Sequence, residues 1–508
     1  MLVMCCTASH FRRPSCSGAP DNLLHLLSAI SALPSIAILR FILIESLGMP
    51  SYLSPLLSYF KKRSSPPDWR AAAASRPFPN EKQVRLYVPE SDPVASVGAS
   101  NLPTYIDATT AFLPVPENEI ATLSEAIDKL NGELRTLSLY IHDNPEVAWK
   151  EIKAHDALTK FMEEHGFRVT RHAYGLATAW EATFEHGSGG PVVGFNSEMD
   201  ALPGIGHGCG HHLIAISGVA AALAISSALT KFNVSGKVIL LGTPAEELEG
   251  GKINLINAGA YKPMDVCMIL HPCPTSEVSA SLAIAECTVE YTGHTAHAAG
   301  APWDAINAQD AAVLAYINIS ALRQQIHPTH RVHGVIINKN WVQNVIPGTA
   351  KIVFGVRAPT MAEVELLKAR VVNCFKAAAL ATGCNYKNTW TMAYADQRQN
   401  TVLREFYKTH MVDSYGVDFT TKASPDFSSD FGNVSYELPV LAPSYQIPCE
   451  IGSGNHTVGF TAASALPEAH RLTLEAAKGV SVTTWKFITD PRFAASIRKE
   501  YDETKGKL

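Results

Sequence analysis

The sequence of 508 residues lacks the features that mark several classes of protein. It has no basic stripe and a formal net charge of -5, so a nucleic acid is not expected as a partner. Its 10 cysteines form no paired framework, which is more typical of a reducing compartment than of a disulfide scaffold. The sequence contains no internal repeat. Its apolar fraction of 46% is ordinary for a globular chain with room for two or three domains.

Long charge-free runs are scarce as well. The run between residues 26 and 39 is short for a membrane span, yet residues 23–47 are compatible with a signal-anchor or a long signal peptide. That interpretation would make the protein secreted or membrane-anchored. The alternative is an N-terminal extension, 1–112, without a targeting role, or translation that begins at Met49. We favour this alternative and expect a cytoplasmic protein, with membrane contact only if residues 23–47 are an anchor.

Hydrophobic periodicity beyond the extension predicts an α/β fold. Strand patterns alternate with helical patterns over residues 113–285 and again over 399–490, which favours a mixed sheet flanked by helices. Between them, residues 286–398 have the composition of a small α+β unit inserted into the first domain. Residues 491–508 are left as a C-terminal tail. Functional groups in such a fold are expected where the strands end.

The segment 194–214 is the centre of the functional prediction. An apolar strand leads into a loop that holds Asp200, and a glycine-rich turn with Cys209 and His211 follows before an alanine-rich helix. Cys209 and His211 are two residues apart, so in an extended segment they project to the same side. Thiolate and imidazole are usual ligands of zinc and similar ions. A flexible loop with a buried cysteine and surface histidines is the alternative, and ligands further along the chain must decide.

Three further loops carry metal-binding or acid-base residue types. Glu246 and Glu247 follow a strand at 237–241. Adjacent carboxylates in extended backbone point in different directions, so one can bind metal while the other acts as acid or base; a solvated acidic turn would explain this pair alone. His271 ends another predicted strand, and His456 lies in a glycine-rich loop. With the first thiol and imidazole they make five donors, enough for two cations that share a ligand or a water.

Five short blocks of the sequence together resemble one enzyme family. The blocks are Glu198-Met-Asp-Ala-Leu-Pro-Gly-Ile-Gly-His-Gly-Cys-Gly-His211, His142-Asp-Asn-Pro-Glu146, Pro244-Ala-Glu-Glu247, Gly293-His-Thr-Ala-His-Ala-Ala299 and Asn344-Val-Ile-Pro347. They are similar to blocks of the dizinc aminoacylases, amidohydrolases and glutamate carboxypeptidases, over about residues 115–490. Within that family the chain is most similar to the branch of Xaa-Arg (beta-alanyl-lysine) dipeptidases. The joint match is specific, whereas any one block alone is not.

The resemblance implies a role for each candidate donor. Glu246 would be the general base that takes a proton from the metal-bound water and passes it to the leaving amine, and Asp200 would orient the centre. Glu198 is not counted as a ligand. The cofactors would be two divalent metal ions; the thiolate favours zinc, with manganese or cobalt as alternatives. The implied metal ligands are Cys209, His211, Glu247, His271 and His456.

The inserted unit resembles the dimerisation or lid domain of the family, which implies a homodimer. His297 matches a histidine that in relatives reaches the active site of the partner subunit and stabilises the oxyanion. Arg357 matches a position whose guanidinium holds the substrate carboxylate, with Asn344 and Gly454 nearby. A structural loop histidine and an ordinary surface arginine are the alternatives. Asp430 is assigned no role.

The expected function is metal-dependent hydrolysis of the amide bond of a small-molecule dipeptide or N-acyl amino acid. An aminoacylase differs from a dipeptidase only in the acyl side of its substrate, so the sequence leaves both open. A non-catalytic relative that keeps the fold is a third interpretation. Such relatives usually lose a ligand or the base, and this chain has lost neither.

Overall fold

The computed structural model describes residues 112–337, 340–419 and 427–505. The predicted N-terminal extension, up to residue 111, and its candidate anchor at 23–47 lie outside the described residues. Those that are described form two sheets of six and four strands, one two-stranded pair and thirteen helices, apart from short 3-10 turns.

The larger sheet is mixed. In spatial order its strands are β1 (Arg168–Arg171), β2 (Trp180–His186), β4 (Gly236–Thr243), β3 (Val192–Glu198), β5 (Val266–Met268) and β11 (Val440–Leu441). β2 pairs antiparallel with β1 and β4, whereas β4, β3, β5 and β11 run parallel. The carboxyl ends of β3 and β4 therefore meet at one edge of the sheet, which is where the candidate site residues begin.

Helices cover both faces of this sheet, and the alternation along β4 shows why. Val238 and Leu240 belong to the core on one side, packed against helices α1 (Glu117–Lys129), α2 (Asn131–His142), α4 (His211–Phe232) and α12 (Pro467–Thr489). Ile239 and Leu241 belong to a second core on the other side, formed with α6 (Gly251–Asn257) and α10 (Phe431–Val434). A strand buried on both faces is continuously apolar. The predicted α/β fold with a mixed sheet is confirmed.

Helix α4 lies at the centre of the first core. Among the described residues it is the one helix long and apolar enough to cross a membrane, but 89% of its most apolar window is buried inside the protein. Such a helix is typical of a globular core. Its first residue is His211, so the core helix also carries a candidate metal donor.

The inserted unit has its own sheet and core, as predicted. Its antiparallel strands lie in the order β10 (Asn385–Trp390), β7 (Ala283–Thr292), β9 (Thr349–Ala358) and β8 (Arg331–Ile337). Two helices, α7 (Ala308–Leu322) and α8 (Met361–Thr382), pack against β7 and β9 and bury a separate apolar cluster with them. β8 is an edge strand of this sheet.

Short elements complete the catalytic domain. They are α3 (Ile152–Glu164), α5 (Glu246–Glu249), β6 (His271–Cys273), α9 (Thr401–Tyr415), β12 (Ser444–Gln446), α11 (Val458–Ser464) and α13 (Pro491–Lys505). β6 and β12 pair in parallel. His271 therefore begins a strand rather than ending one, and the helix predicted over 117–140 is two helices that divide at Leu130.

Candidate active site

The glycine-rich loop after β3 turns back so that α4 begins against the strand β6. Gly210, with φ of +77°, is the residue before the helix. A Cβ at this position would lie 2.7 Å from the Pro272 side chain, so glycine permits both the left-handed turn and the close approach. Cys209 and His211, on either side of this turn, are thereby placed beside His271.

A second turn, after β4, brings two adjacent carboxyl groups inside. Ala245 has φ of +58° and precedes the helical turn α5. The prediction of extended backbone for Glu246 and Glu247 was wrong, because a helical turn lets both side chains face the same way. Their oxygens lie 4.0 and 3.7 Å from Nε2 of His211.

The five candidate metal donors form one cluster. Sγ of Cys209 lies 3.4 Å from Nε2 of His271. Glu247 links the remaining two, with Oε1 3.7 Å from His211 Nε2 and Oε2 3.4 Å from His456 Nε2. The loop of His456 is held in place because its backbone N–H donates to the carbonyl oxygen of Gly208 in the first loop, at 2.8 Å. Four segments that are distant in sequence thus meet at one point.

This donor set fits bound cations. Oε1 of Glu247 and Nε2 of His211 are buried and, in the part of the chain that the structure describes, have no hydrogen-bond partner, which is rare for buried polar atoms. Two groups of three donors, which share Cys209, each lie within 4.8 Å of one another: Cys209, His211 and His271, and Cys209, Glu247 and His456. Thiolate, imidazole and carboxylate are ligands of zinc and related divalent ions.

Asp200 supports two of the donors from behind. It is buried, accepts a hydrogen bond from Nδ1 of His211 at 3.2 Å, and accepts another from the backbone N–H of Glu247 at 3.0 Å. Burial acts to raise the pKa of Asp200, but the His211 ring holds that pKa below its ordinary value. The bond to Nδ1 leaves Nε2 of His211 facing the cluster, which is how a ligand histidine is usually oriented.

Crowded acidic groups dominate the electrostatics of the cluster. Burial raises the pKa of Glu246 well above its ordinary value, and neighbouring Glu198 and Glu247 raise it further. Burial likewise raises the pKa of the Cys209 thiol, with Glu247 adding to the effect. A cavity with this excess of negative charge is stabilised by cations.

A buried lysine, which sequence reasoning missed, is held between two carboxylates beside this cluster. Nζ of Lys252 lies 2.7 Å from Glu198 Oε1 and 2.5 Å from Asp430 Oδ1, and its own backbone N–H donates to Asp430 Oδ2 at 2.8 Å. All three side chains are at most 1% exposed. Glu198 thus turns one oxygen to the ammonium group while the other lies 3.4 Å from His211 Nε2. No short motif marked Lys252 or Asp430, because 178 residues separate them.

A cavity of about 620 Å³ opens from the donor cluster toward the inserted unit. Its lining includes Glu246, Glu247 and His271 on one side and Arg357 of β9 on the other. The guanidinium of Arg357 is half-buried and donates to Ser428 Oγ at 2.9 Å and to His333 Nε2 at 3.2 Å. Donors and guanidinium therefore face one space.

Three predicted residues lie outside this lining. His297 is exposed, and its Nδ1 accepts hydrogen bonds from the backbone N–H groups of Ala299 and Gly300 at 3.2 and 3.0 Å. Asn344 is exposed as well, and its carbonyl oxygen accepts from the N–H of Ala298. Gly454 is two residues from His456 but is not among the described lining residues. Within a single chain, His297 and Asn344 do not reach the cavity.

Comparison with known proteins identifies the family. The model of peptidase family M20/M25/M40 matches residues 194–477. A Xaa-Arg dipeptidase of Mus musculus is 41% identical over 397 residues, which cover 74% of this chain and 91% of the mouse protein. A p-aminobenzoyl-glutamate hydrolase of Escherichia coli is 26% identical over 460 residues, covering 75% of this chain and 94% of that protein.

This chain belongs to peptidase family M20/M25/M40. It is therefore a metal-dependent hydrolase, as the sequence predicts. A dinuclear metal binding peptidase of family M20 from Bacillus subtilis has the same fold, with a TM-score of 0.53 at 18% identity over 70% of this chain and 99% of that one. The family thus includes dinuclear centres, and the donor cluster of this chain suits one.

Proposed function

We propose that this protein is a dipeptidase that cleaves the amide bond before a C-terminal residue. The observation that carries the proposal is the single cavity in which five metal donors, the carboxyl group of Glu246 and the guanidinium of Arg357 face one another. A dipeptide has its scissile carbonyl a few ångströms from its C-terminal carboxylate, so one substrate can span the cluster and the arginine. The mouse relative, a Xaa-Arg dipeptidase, supports this assignment.

Two divalent cations would be held by the five donors, with Cys209, His211 and His271 on one side and Cys209, Glu247 and His456 on the other. We propose zinc, because a thiolate ligand favours it over harder ions; manganese and cobalt are the alternatives. When bound, such ions polarise a carbonyl and lower the pKa of a water.

The side chains of this chain would move the proton. The Glu246 carboxylate accepts a proton from the attacking water and then donates it to the nitrogen of the leaving amine. The buried and crowded position that raises its pKa suits this exchange, since a carboxyl group with an ordinary pKa gives up its proton too readily at neutral pH. Asp200 keeps His211 in the required orientation through Nδ1.

Substrate recognition would divide between opposite charges. Among the described lining residues, Arg357 is the only arginine or lysine, and its fork of donors suits the two oxygens of a carboxylate. Away from the donor cluster, Glu277 and Glu286 also line the cavity, and their carboxylates favour a cationic side chain. We therefore expect dipeptides that end in arginine or lysine to be better substrates than dipeptides that end in glutamate.

An N-acyl amino acid is the second candidate substrate, because the Escherichia coli relative is a p-aminobenzoyl-glutamate hydrolase. Purified protein supplied with zinc, manganese or cobalt in turn is assayed with Ala-Arg, Ala-Leu, Ala-Glu, N-acetyl-arginine and p-aminobenzoyl-glutamate. A kcat/KM for Ala-Arg at least tenfold above that for N-acetyl-arginine supports the dipeptidase. The reverse order identifies an aminoacylase instead.

Glu246→Gln is the direct test of the base. The change removes the proton acceptor but keeps the size of the side chain, so kcat should fall by at least about a thousandfold. Metal content, measured by elemental analysis, should stay at two ions per chain. Turnover within tenfold of the wild type contradicts the assignment of Glu246.

We also propose that two copies of this chain form a homodimer through the inserted unit. β8 is an edge strand, and an edge strand readily pairs with another chain. Its exposed apolar residues are Val335, Ile336 and Ile337, and the neighbouring helix α7 exposes Val313, Tyr316 and Ile317. Pairing of two such edges about a two-fold axis would cover both surfaces. Such a dimer would also give His297 a partner cavity to enter.

A cytoplasmic location completes the proposal. The seven described cysteines form no disulfide, which supports a reducing compartment. Fluorescent fusions of the full chain and of a chain that begins at Met49 test it. Cytosolic signal from both supports the proposal, whereas secretion or membrane retention of the full chain alone assigns a targeting role to the first 48 residues.

A further inference from the structure

Ala245 holds a backbone conformation that alanine disfavours, directly before the proposed base. Its φ is +58° and its ψ is +41°. A residue with a Cβ enters this left-handed region roughly tenfold less readily than glycine. Such strain persists only where the surroundings hold it, and it concentrates at functional sites. A specific contact must therefore hold Ala245.

A buried carboxyl group from a different part of the chain contacts this turn. Glu151, which is fully buried, lies just before α3. Its Oε1 accepts hydrogen bonds from the backbone N–H of Ala245 at 2.9 Å and of Trp149 at 3.1 Å, and its Oε2 accepts one from the Thr178 hydroxyl at 2.7 Å. Trp149 also has a positive φ, of +61°. One side chain therefore ties two left-handed positions together.

We propose that Glu151 is a positioning residue for the hydrolytic reaction. By holding the N–H of Ala245 it fixes the turn after β4 and so aims the Glu246 carboxyl group into the cavity. Glu151 is not among the described residues that line the cavity, so it acts through the backbone and not on the substrate. On the far side of the turn the Tyr394 hydroxyl donates to the Glu246 carbonyl oxygen at 2.7 Å, so the two ends of the turn are held separately. This inference rests on the proposed function.

The test is a double-mutant cycle between Glu151→Ala and Ala245→Gly. Glu151→Ala should lower kcat by 10- to 100-fold while KM changes by less than threefold, because the base is misplaced but the substrate contacts remain. Glycine at 245 adopts the left-handed turn without help, so Glu151→Ala combined with Ala245→Gly should recover about tenfold of that loss. A structural defect elsewhere would not be repaired by this glycine.

Two further variants sharpen the result. Glu151→Gln keeps an oxygen for Ala245 and should keep kcat within threefold, and Thr178→Val, which spares the Ala245 bond, should do the same. A kcat for Glu151→Ala within threefold of the wild type overturns the inference, as does a double variant no better than Glu151→Ala. If Glu151→Ala cannot be purified, Glu151→Asp replaces it, since the shorter carboxyl group stays buried but does not reach Ala245.

Amide hydrogen exchange separates this inference from the proposed function. In Glu151→Ala, peptides that contain residues 244–249 should exchange at least tenfold faster than in the wild type, while the same peptides in Thr178→Val should not. Unchanged exchange overturns the role of Glu151. A wild type that cleaves none of the substrates, but shows this exchange pattern, overturns the proposed dipeptidase and leaves the backbone contact established.

Discussion

Glu151 combines complete burial with a titration that lies close to neutral pH. Burial raises the pKa of Glu151 from 4.5 to about 7, against the lowering effect of its hydrogen bond from Thr178. The charged group that faces it is Asp200, whose negative charge raises the pKa further. The folded protein therefore binds a proton at Glu151 more tightly than the unfolded chain does.

This difference predicts a pH-dependent stability. Because the folded pKa is raised, the contribution of Glu151 is fully present below about pH 4.5 and is lost as the pH rises through about 7. Glu151→Gln does not ionise, so its free energy of unfolding should gain on that of the wild type by up to about 3 kcal/mol between pH 5 and pH 8. Urea unfolding at four pH values measures the difference. A difference that stays constant to within about 0.5 kcal/mol would contradict the shifted pKa.

Single residues also mark the limit of what the sequence predicts. The five candidate donors could be identified because each follows a strand pattern and belongs to a residue type that binds metal. Lys252 and Asp430 could not, since their pairing depends on the packing of α6 against α10 across 178 residues. A lysine in a short helix and an aspartate in a loop both look like ordinary surface residues until the fold buries them.

At the scale of elements, the turn between β4 and α6 is the most tightly constrained segment of the site. A Cβ on Gly251 would lie 1.7 Å from the carbonyl oxygen of Pro244, which neither backbone can accommodate without moving. Because Glu246 and Glu247 lie between these two residues, any shift that relieves the clash moves both carboxyl groups.

Gly251→Ala should therefore damage stability and activity together. We expect a loss of about 2 kcal/mol in the free energy of unfolding, a typical cost of overpacking, and a fall in kcat of at least tenfold. Gly132→Ala is the matched control, since nothing lies within 4 Å of its Cβ position in α2, and alanine there should stabilise by up to about 1 kcal/mol. Equal behaviour of the two variants in urea unfolding and in turnover would show that the turn can relax.

Element boundaries were predicted less well than element types. The apolar periods of α4 and α8 and the buried runs of β3 and β4 are strong because packing on the sheet requires them. The break between α1 and α2 falls at Leu130, before Asn131 and Gly132, and this polar pair is a turn signal that the apolar periodicity overrides. The left-handed Ala245 carries no signal in the sequence, because alanine usually favours helix.

The whole molecule predicts a division of the active site between two copies. His297 belongs to the inserted unit and lies outside the cavity of its own chain, so its proposed role requires a partner. His297→Ala and Glu246→Gln remove residues that would then contribute to the same cavity from different chains. A mixed dimer of the two variants keeps one complete cavity, in the chain that retains Glu246.

Mixing the two variants tests this arrangement. After dissociation and reassociation in equal amounts, about half of the dimers are mixed, so activity should recover to about a quarter of the wild-type level. Light scattering of each variant should give the mass of a dimer. Activity no higher than that of the two variants measured separately, from protein that remains dimeric, would place His297 outside the reaction.

The order of the donors along the chain has a consequence for biosynthesis. Cys209 and His211 leave the ribosome first, whereas His456 follows only after the complete inserted unit, and its loop is anchored to Gly208. A nascent chain can thus form both cores of its sheet in part while one pole of the metal centre is still missing. Hydrolytic power would appear only near the end of translation, which protects the growing polypeptide and its neighbours from a half-built catalyst.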